Sequence, residues 1–190
     1  MHIVCLRHGE TNYNVAGLCN DDPRDDVHLT PRGIEQARTA GHALAHESFD
    51  RAFVSPLPRT QETARLVLGG RALTLEVRPE LNDIRTGFNG RPVAEYYAAI
   101  AHDKLNARVP GYESLMDHKR RVRGFIDWLV QQQARQVLIV AHEETLRVFY
   151  AYFHPMDDLA MAGLKFGNCE VLRFDTGRFD TGALARARSS

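Results

Sequence analysis

Three short apolar runs, each followed by a cationic or histidine side chain, constrain the fold of this chain more than any other feature. The runs are residues 2–6, 51–54 and 137–141. Apolar runs without polar alternation are typical of strands buried on both faces of a parallel sheet that helices cover. Arg7 and His8 follow the first run, Arg59 follows the second, and His142 follows the third. Because ligands collect outside the carboxyl ends of parallel strands, we expect these four side chains at one sheet edge.

The residue types at this edge suit a tetrahedral oxyanion. An arginine offers a permanently charged, planar fork of donors that matches phosphate or carboxylate oxygens. A histidine can act as nucleophile, base or metal ligand near neutral pH. Gly9, directly after His8, lets the backbone approach a ligand closely. A turn with solvated polar residues would explain one such tripeptide, but three converging strands favour a binding pocket.

The chain also carries, in order, the motifs of a known family. The matching stretches are Leu6-Arg7-His8-Gly9-Glu10-Thr11 with Asn14, residues 29–37 and 55–64, Val140-Ala141-His142, and a weaker G-x-E-S match at residues 111–114. Together they resemble the histidine phosphatase superfamily, in the phosphoglycerate-mutase-like branch with the R-H-G motif. The resemblance implies an α/β fold: a three-layer α/β/α sandwich with a mostly parallel central sheet.

Composition narrows the partners and the domain organisation. The chain has 190 residues with 24 Lys and Arg against 24 Asp and Glu, so its formal net charge is zero. This balance argues against nucleic-acid or membrane-surface binding, and no apolar run approaches the ~18 residues of a membrane span. We expect one domain over residues 1–177, a loose tail over 178–190, three free cysteines, and a cytoplasmic protein without a signal peptide.

Capping residues and periodicity place the remaining elements. Thr30 and Pro31 have the residue types of a helix N-cap and first helical position. A later amphipathic helix carries Arg120, Arg121 and Arg123 on its predicted solvated side. Residues 12–28, which include four aspartates, are predicted to form a solvated polar loop rather than a calcium site. The predicted helices cover residues 31–46, 59–68, 93–101 and 115–133, with another opening at 143, and further strands cover 72–77 and 169–174.

The family resemblance implies a mechanism for the pocket. His8 is expected to attack phosphorus as a neutral imidazole and become phosphohistidine. Arg7, Arg59 and, if protonated, His142 would hold the phosphoryl oxygens, where charge spreads in the transition state. Neutral hydrogen bonds would come from Thr11 and Asn14, and Glu143 is included among the expected phosphate-binding residues. No metal or other cofactor is expected, because the fixed positive charge is sufficient.

A carboxylic acid must protonate the leaving oxygen, and here the chain departs from the family pattern. Asp83 stands where the family usually has a glutamate. Glu143 and Glu144 are alternatives, because another branch places its acid just after the second histidine. Glutamates in the first turn of a helix are stabilised in their ionised form, which makes them poorer acids. We therefore place Asp83 first and keep Glu144 as the alternative.

Residues 79–110 are predicted to be a substrate-selecting insert, since loops beside a rigid site carry specificity. The alternative is a plain surface helical hairpin. Two positions in this stretch depart from the family pattern: Asp83 replaces the glutamate of an L-x-E segment, and Asn89 replaces the glutamate of the glycine-aromatic-glycine turn that follows. The candidates to line the pocket mouth are Tyr96, Tyr97, Arg85, Arg91, Lys104 and Arg108.

The sequence therefore predicts a phosphohydrolase that cleaves a small phosphomonoester. The nearest alternative is a phosphoglycerate mutase, but mutases of this type carry a glycine-asparagine pair where this chain has Glu143-Glu144. A non-catalytic phosphate-binding or regulatory protein and a protein phosphohistidine phosphatase also remain open. The expected partner is a small phosphorylated substrate, with no nucleic acid and no membrane, and the chain could be a monomer or a homodimer.

Overall fold

The apolar runs form the centre of one mixed sheet. The computed structural model describes residues 1–178, and its strands are β1 (His2–Arg7), β2 (Arg51–Val54), β3 (Leu75–Val77), β4 (Gln136–Ala141) and β5 (Val171–Asp175). Their order is β3-β2-β4-β1-β5, with parallel pairing throughout except for β5, which runs antiparallel to β1. The mostly parallel sheet confirms the predicted fold class.

Successive side chains of the central strands point into two different cores. In β1, Ile3 and Cys5 belong to one apolar cluster, whereas Val4 and Leu6 belong to the other. This alternation explains why the strands carry no polar face, because helices cover both sides of the sheet. The layers form the predicted α/β/α sandwich.

The five predicted helices are present and differ from the prediction mainly at their ends. The helices are α1 (Asn12–Ala16), α2 (Pro31–Ala43), α3 (Pro58–Leu68), α4 (Val93–Ala99), α5 (Leu115–Leu129), α6 (Glu143–Phe153) and α7 (Asp158–Gly163). The sequence pattern does not predict α1 or α7. Helices α2 and α3 cover one core, and α5 and α6 cover the other. None of the helices in the described part of the chain is long and apolar enough to cross a membrane.

Helix α1 lies where the sequence predicts only a loop. Thr11 and Asn14 form a reciprocal capping box, in which the Thr11 side chain accepts from the Asn14 amide and the Asn14 side chain accepts from the Thr11 amide. The helix ends at Gly17, whose left-handed backbone stops it after five residues. Such a short helix has no apolar period, so only its caps could reveal it.

The motif at residues 29–37 packs against the loop after β1 and binds it by hydrogen bonds. Thr30 caps α2 as predicted by accepting from the Gly33 amide, and Pro31 occupies the first turn. Gly33 packs so closely on this loop that an added Cβ would lie 2.1 Å from the Glu10 carbonyl oxygen. The Glu10 backbone also accepts a hydrogen bond from the Thr30 amide at 2.9 Å. The motif therefore fixes the loop that carries the site.

The segment from 79 to 110 contains one regular helix, α4, and a 3₁₀ turn at Pro79–Leu81. Phe88, Tyr96 and Ile100 form a small separate apolar cluster, against which Cys19 packs. All three cysteines are free thiols, as predicted. Of the predicted loose tail, residues 179–190 lie outside the described residues.

Candidate active site

The carboxyl ends of β1 and β4 bring two histidine rings together. His8 follows β1 and His142 follows β4, and their ring centroids lie 5.3 Å apart at an interplanar angle of 61°. Both rings are buried. His8 Nδ1 lies 2.8 Å from the Gly9 carbonyl oxygen, which can only accept, so Nδ1 carries the proton. The Nε2 lone pair of a neutral His8 then faces Arg59, whose Nε donates to it at 3.2 Å.

Both histidines are held neutral. Burial lowers the pKa of His8 well below its usual range, and the charges of Arg59 and Arg7 lower it further. Burial and the Arg59 charge likewise lower the pKa of His142. A neutral His8 is a competent nucleophile, since its Nε2 lone pair is unprotonated. His142 is a cation only if an arriving anion offsets these effects, which is the condition attached to its predicted role.

Ser55 orients the second histidine. The Ser55 hydroxyl lies 2.8 Å from His142 Nε2 and also accepts from the Leu57 amide at 3.1 Å. Thr60 approaches the same hydroxyl at 3.0 Å. The 55–64 motif thus supplies both the support of His142 and, four residues after Ser55, the guanidinium of Arg59.

Arg59 lies at the centre of the pocket. It occupies the first turn of α3 and has only 4% of its surface exposed. Its Nη2 donates to Asp83 Oδ2 at 2.9 Å and lies 3.3 Å from His142 Nδ1. Its Nη1 and Nη2 also donate to the side-chain and backbone oxygens of Asn20 at 2.5 and 3.1 Å. One guanidinium therefore contacts the expected nucleophile, the expected acid and the second histidine.

Arg7 is oriented from the other side of the pocket. Its Nη1 donates to Glu143 Oε2 at 2.9 Å and to the Phe166 carbonyl oxygen at 2.8 Å. The other Glu143 oxygen accepts from Arg147 Nη2 at 2.6 Å. Both carboxylate oxygens of Glu143 therefore accept from guanidinium groups, and one of these contacts holds Arg7 in place.

Thr11 and Asn14 also line the pocket, as the sequence predicts. The Asn14 Oδ1 accepts from the Thr11 amide at 3.1 Å and from Asn168 Nδ2 at 3.3 Å. These contacts use the acceptor end of the Asn14 amide and leave its Nδ2 as the end able to donate to an anion. Asn168 further donates to the His8 carbonyl oxygen at 2.9 Å, which braces the loop after β1.

Asp83 has the environment of an acid that works near neutral pH. It lies after the 3₁₀ turn that follows β3, with Oδ2 3.4 Å from His142 Nδ1. Burial raises its pKa to about 7, the Glu144 charge adds to this, and Arg59 opposes it. Glu144 also lines the pocket, but its carboxylate faces Arg147 at 3.5 Å. This arrangement favours Asp83 over Glu144 as the proton donor.

Apolar and aromatic side chains also line the pocket. They are Tyr13, Leu18, Val27, Ile84, Val93, Tyr96 and Tyr97. The two tyrosines of α4 are among the lining residues, as predicted. The four predicted basic residues, Arg85, Arg91, Lys104 and Arg108, are not among the lining residues. Three of them pair with carboxylates elsewhere, namely Glu113, Glu95 and Asp117.

The aspartate-rich loop is not simply solvated, which corrects the sequence expectation. Asp21 Oδ2 accepts from the Thr86 amide at 3.1 Å, and Asp25 Oδ2 accepts from Asn20 and Asn89 at 2.8 and 2.5 Å. These bonds join the loop to the turn before α4 and hold Asn20 against Arg59. Over residues 1–178, no three His, Cys, Asp or Glu side chains are grouped as a metal site requires.

Arg121 is the second correction, because the sequence places it on the solvated side of α5. Arg120 and Arg123 are exposed as expected, but Arg121 turns inwards and donates to Glu113 and to backbone carbonyls next to Asp83. Local periodicity could not indicate this, because the acceptors lie on a segment about forty residues earlier. For the same reason, the sequence pattern could not indicate the roles of Asn20 and Arg147.

Comparison with known proteins agrees with the geometry. The family model described as histidine phosphatase superfamily (branch 1) matches residues 3–185. The adenosylcobalamin/alpha-ribazole phosphatase of Salmonella typhimurium is 38% identical over 160 residues, covering 80% of this chain and 78% of that protein. The 2,3-bisphosphoglycerate-dependent phosphoglycerate mutase of Cytophaga hutchinsonii is 31% identical over 189 residues, covering 92% and 88%.

A solved structure shows the same relationship in three dimensions. The alpha-ribazole phosphatase from Shigella flexneri superposes with a TM-score of 0.83 at 32% identity, covering 92% of this chain and 90% of that one. Phosphatases of this family act on small phosphomonoesters through a phosphohistidine and need no metal. The chain belongs to the histidine phosphatase superfamily, branch 1, and is a metal-independent phosphatase of small phosphomonoesters.

Proposed function

We propose that this chain hydrolyses the 5′-phosphate of a ribonucleoside with a flat aromatic base, of the α-ribazole type. The observation that carries the proposal is a pocket lined both by the arginines and histidine that suit a phosphate and by several tyrosine and aliphatic side chains. α-Ribazole is a benzimidazole ribonucleoside, whose flat base suits these tyrosine and aliphatic side chains. The alpha-ribazole phosphatases among the relatives support the same substrate class.

In the first step His8 Nε2 attacks phosphorus while the bond from phosphorus to the ester oxygen breaks. Asp83, protonated, gives its proton to the leaving oxygen, so the nucleoside departs as a neutral alcohol. Arg7 and Arg59 hold the equatorial oxygens, and Asn14 Nδ2 adds a neutral donor. A phosphate dianion in the pocket raises the pKa of His142, because an opposite charge favours the imidazolium. His142 then contributes a further positive donor.

In the second step water replaces His8 on phosphorus. Asp83, now a carboxylate, takes a proton from this water, the bond between phosphorus and Nε2 breaks, and inorganic phosphate and neutral His8 result. A group that must donate and then accept a proton works best with a pKa near the operating pH. The pKa of about 7 for Asp83 meets this condition.

The pocket gives weaker support to the mutase alternative. A phosphoglycerate carries a carboxylate besides its phosphate, so its site needs a cation beyond those that hold the phosphate. Among the described lining residues the arginines are Arg7 and Arg59, while Asp83, Glu143 and Glu144 add negative charge. The presence of a nucleophile, an acid and phosphate donors together also favours turnover over a purely regulatory role.

The remaining expectations complete the proposal. The elements surround one sheet, which supports a single domain over residues 1–177. Bacterial relatives of this kind support a cytoplasmic location. The zero formal net charge supports the absence of a nucleic-acid partner. Monomer and homodimer both remain compatible with the proposed chemistry.

The test compares α-ribazole 5′-phosphate with ribose 5-phosphate and 3-phosphoglycerate, measuring released phosphate and kcat/KM. Ribose 5-phosphate is the matched control, since it keeps the sugar phosphate and lacks the base. We expect the base to raise kcat/KM by about tenfold or more, since stacking on aromatic side chains contributes ~1–3 kcal/mol. Equal values for the two sugar esters, or faster isomerisation of phosphoglycerate than phosphate release, would refute the proposal.

A variant of α4 locates the base. Tyr97 lines the pocket and is 42% exposed, so its replacement by Leu should leave the fold intact. We expect Tyr97→Leu to lower kcat/KM for the nucleoside ester several-fold and to leave ribose 5-phosphate unchanged. Tyr112 is exposed to a similar extent, 45%, and lies outside the lining, so Tyr112→Leu is the control. Equal losses in both variants would place the base elsewhere.

A further inference from the structure

Arg121 forms a dense set of contacts with the segment that carries the proposed acid. Its Nη1 donates to the backbone oxygens of Glu80 and Asn82 at 2.9 and 3.1 Å. Its Nη2 donates to the backbone oxygen of Asp83 at 3.2 Å. One guanidinium on α5 therefore binds three carbonyl groups within four consecutive residues of a segment that runs outside the sheet.

Glu113 holds this guanidinium in place. Its two carboxylate oxygens accept from Arg121 Nε and Nη2, each at 2.8 Å, in a bidentate pair. Glu113 is buried, so the pair is shielded from water and is stronger than an exposed ion pair. The weak G-x-E-S match thus has a structural role: its glutamate fixes the orientation of Arg121, and its serine caps α5.

Glu113 also binds the other flank of Asp83. Its Oε2 accepts from the Arg85 amide at 3.1 Å, and its own amide donates to the Arg85 carbonyl oxygen at 2.8 Å. Residues 80–83 are therefore held by Arg121 and residue 85 by Glu113, and the two side chains bind each other. The backbone on both sides of Asp83 is fixed relative to α5.

This placement determines where the Asp83 carboxyl lies. Asp83 Oδ2 sits 2.9 Å from Arg59 Nη2 and 3.4 Å from His142 Nδ1, and it must reach the leaving oxygen. A displacement of about 1 Å in a catalytic group can cost about 10²-fold in rate. Without Arg121, three carbonyl groups lose their donor and the segment has no equivalent restraint from the sheet.

We propose that Arg121, oriented by Glu113, is the positioning residue for the general acid, and that it sets the reach of Asp83 to the leaving oxygen. The proposal rests on the proposed role of Asp83 and deepens it. Arg121 itself touches neither phosphate nor leaving group, since it is not among the pocket-lining residues. Its effect is therefore confined to the two steps in which Asp83 moves a proton, and the first of these is the protonation of the leaving oxygen.

The experiment measures kcat/KM for two esters with Arg121→Gln, because kcat/KM reports the transfer to His8 and not the later hydrolysis, and Arg123→Gln is the matched control on the exposed side of the same helix. An alkyl phosphate needs a proton on its leaving oxygen, whereas p-nitrophenyl phosphate needs little help. We expect Arg121→Gln to lower kcat/KM by about 10- to 100-fold for the alkyl ester and by less than about threefold for the aryl ester. Arg123→Gln should match the wild type on both.

Arg121→Lys and Asp83→Asn complete the design. The lysine keeps the charge but cannot bind three carbonyls and a carboxylate at once, so Arg121→Lys should show the same selective loss. Arg121→Lys replaces Arg121→Gln in the experiment if the glutamine variant does not fold. Equal losses on both esters, or none, for a folded Arg121 variant would overturn the positioning role. If Asp83→Asn itself fails to distinguish the esters, both the acid assignment and the inference are wrong; if only Asp83→Asn distinguishes them, the inference alone is wrong.

Discussion

Because folding raises the pKa of Asp83, we expect the Asp83→Asn variant to become more stable relative to the wild type as the pH rises. A carboxyl whose pKa increases from 3.8 to about 7 on folding holds its proton more tightly in the folded state. The folded state is then favoured below pH 4, where both states are protonated, and loses stability as the pH passes from about 4 to 7. Asparagine has nearly the same shape and does not ionise, so it escapes this loss.

The size of the effect follows from the two pKa values. The change from 3.8 to about 7 corresponds to about 4 kcal/mol of stability lost by the wild type above pH 7. Between about pH 4.5 and pH 8, the stability of Asp83→Asn relative to the wild type should rise by about 3 kcal/mol. Taking the difference between two pH values removes the effects of the substitution that do not depend on ionisation, such as changed packing.

Urea unfolding of both proteins at the two pH values measures this difference. Asp50→Asn is the control without such a rise, because Asp50 accepts from the Arg135 and Gln136 amides, which lowers its pKa below 3.8. Asp50 is ionised in both the folded and the unfolded state over most of this pH range, so the stability of Asp50→Asn relative to the wild type should stay nearly constant between the two pH values. If Asp83→Asn gains no stability towards pH 8, or follows Asp50→Asn, then Asp83 is ionised at neutral pH and cannot be the proton donor.

Three further predictions concern the nucleophile, the central guanidinium and the loop after β1. His8→Ala should abolish the acid-labile phosphoprotein that rapid acid quenching traps from labelled substrate; undiminished label would place the phosphoryl group elsewhere. Arg59→Ala should lower kcat/KM by about 10²- to 10³-fold, as expected for an oxyanion donor, and a loss below about tenfold would remove it from the phosphate site. Gly33→Ala should destabilise the fold by about 1–3 kcal/mol because its Cβ would meet the Glu10 carbonyl oxygen, whereas Gly124→Ala, with open space around it, should be neutral or stabilising. Thermal unfolding compares these last two variants. Equal changes in Tm would show that the loop after β1 moves to make room for the added Cβ at little cost.

The sheet and the phosphate end of the pocket could be predicted because their signals are local. A strand buried on both faces must be apolar along its length, so β1, β2 and β4 stand out in the sequence. Parallel strands then bring their carboxyl ends together without further information. The positions of His8, Arg59 and His142 follow from this rule alone.

The hydrogen bonds that hold these residues in place could not be predicted, because their partners are distant in the sequence. Arg121 lies on the polar side of an amphipathic pattern, yet carbonyl oxygens of a distant irregular segment accept hydrogen bonds from it. Asn20 lies in an aspartate-rich loop, and only its contact with Arg59 reveals a role. Hydrophobic periodicity reports which face of a helix meets an apolar core, but it does not report polar side chains whose acceptors are backbone oxygens elsewhere.

The two guanidinium groups of the pocket have oxygen acceptors before any phosphate binds. Arg59 donates to Asn20 and Asp83, and Arg7 donates to Glu143 and a backbone carbonyl. A phosphate ester that enters therefore competes with these acceptors, and the exchange yields little net affinity for the ground state. The transition state spreads more charge onto the equatorial oxygens, so it gains more from the same donors. Because only interactions that strengthen in the transition state raise kcat, donors held in place by weaker competitors favour turnover over tight binding of substrate or product.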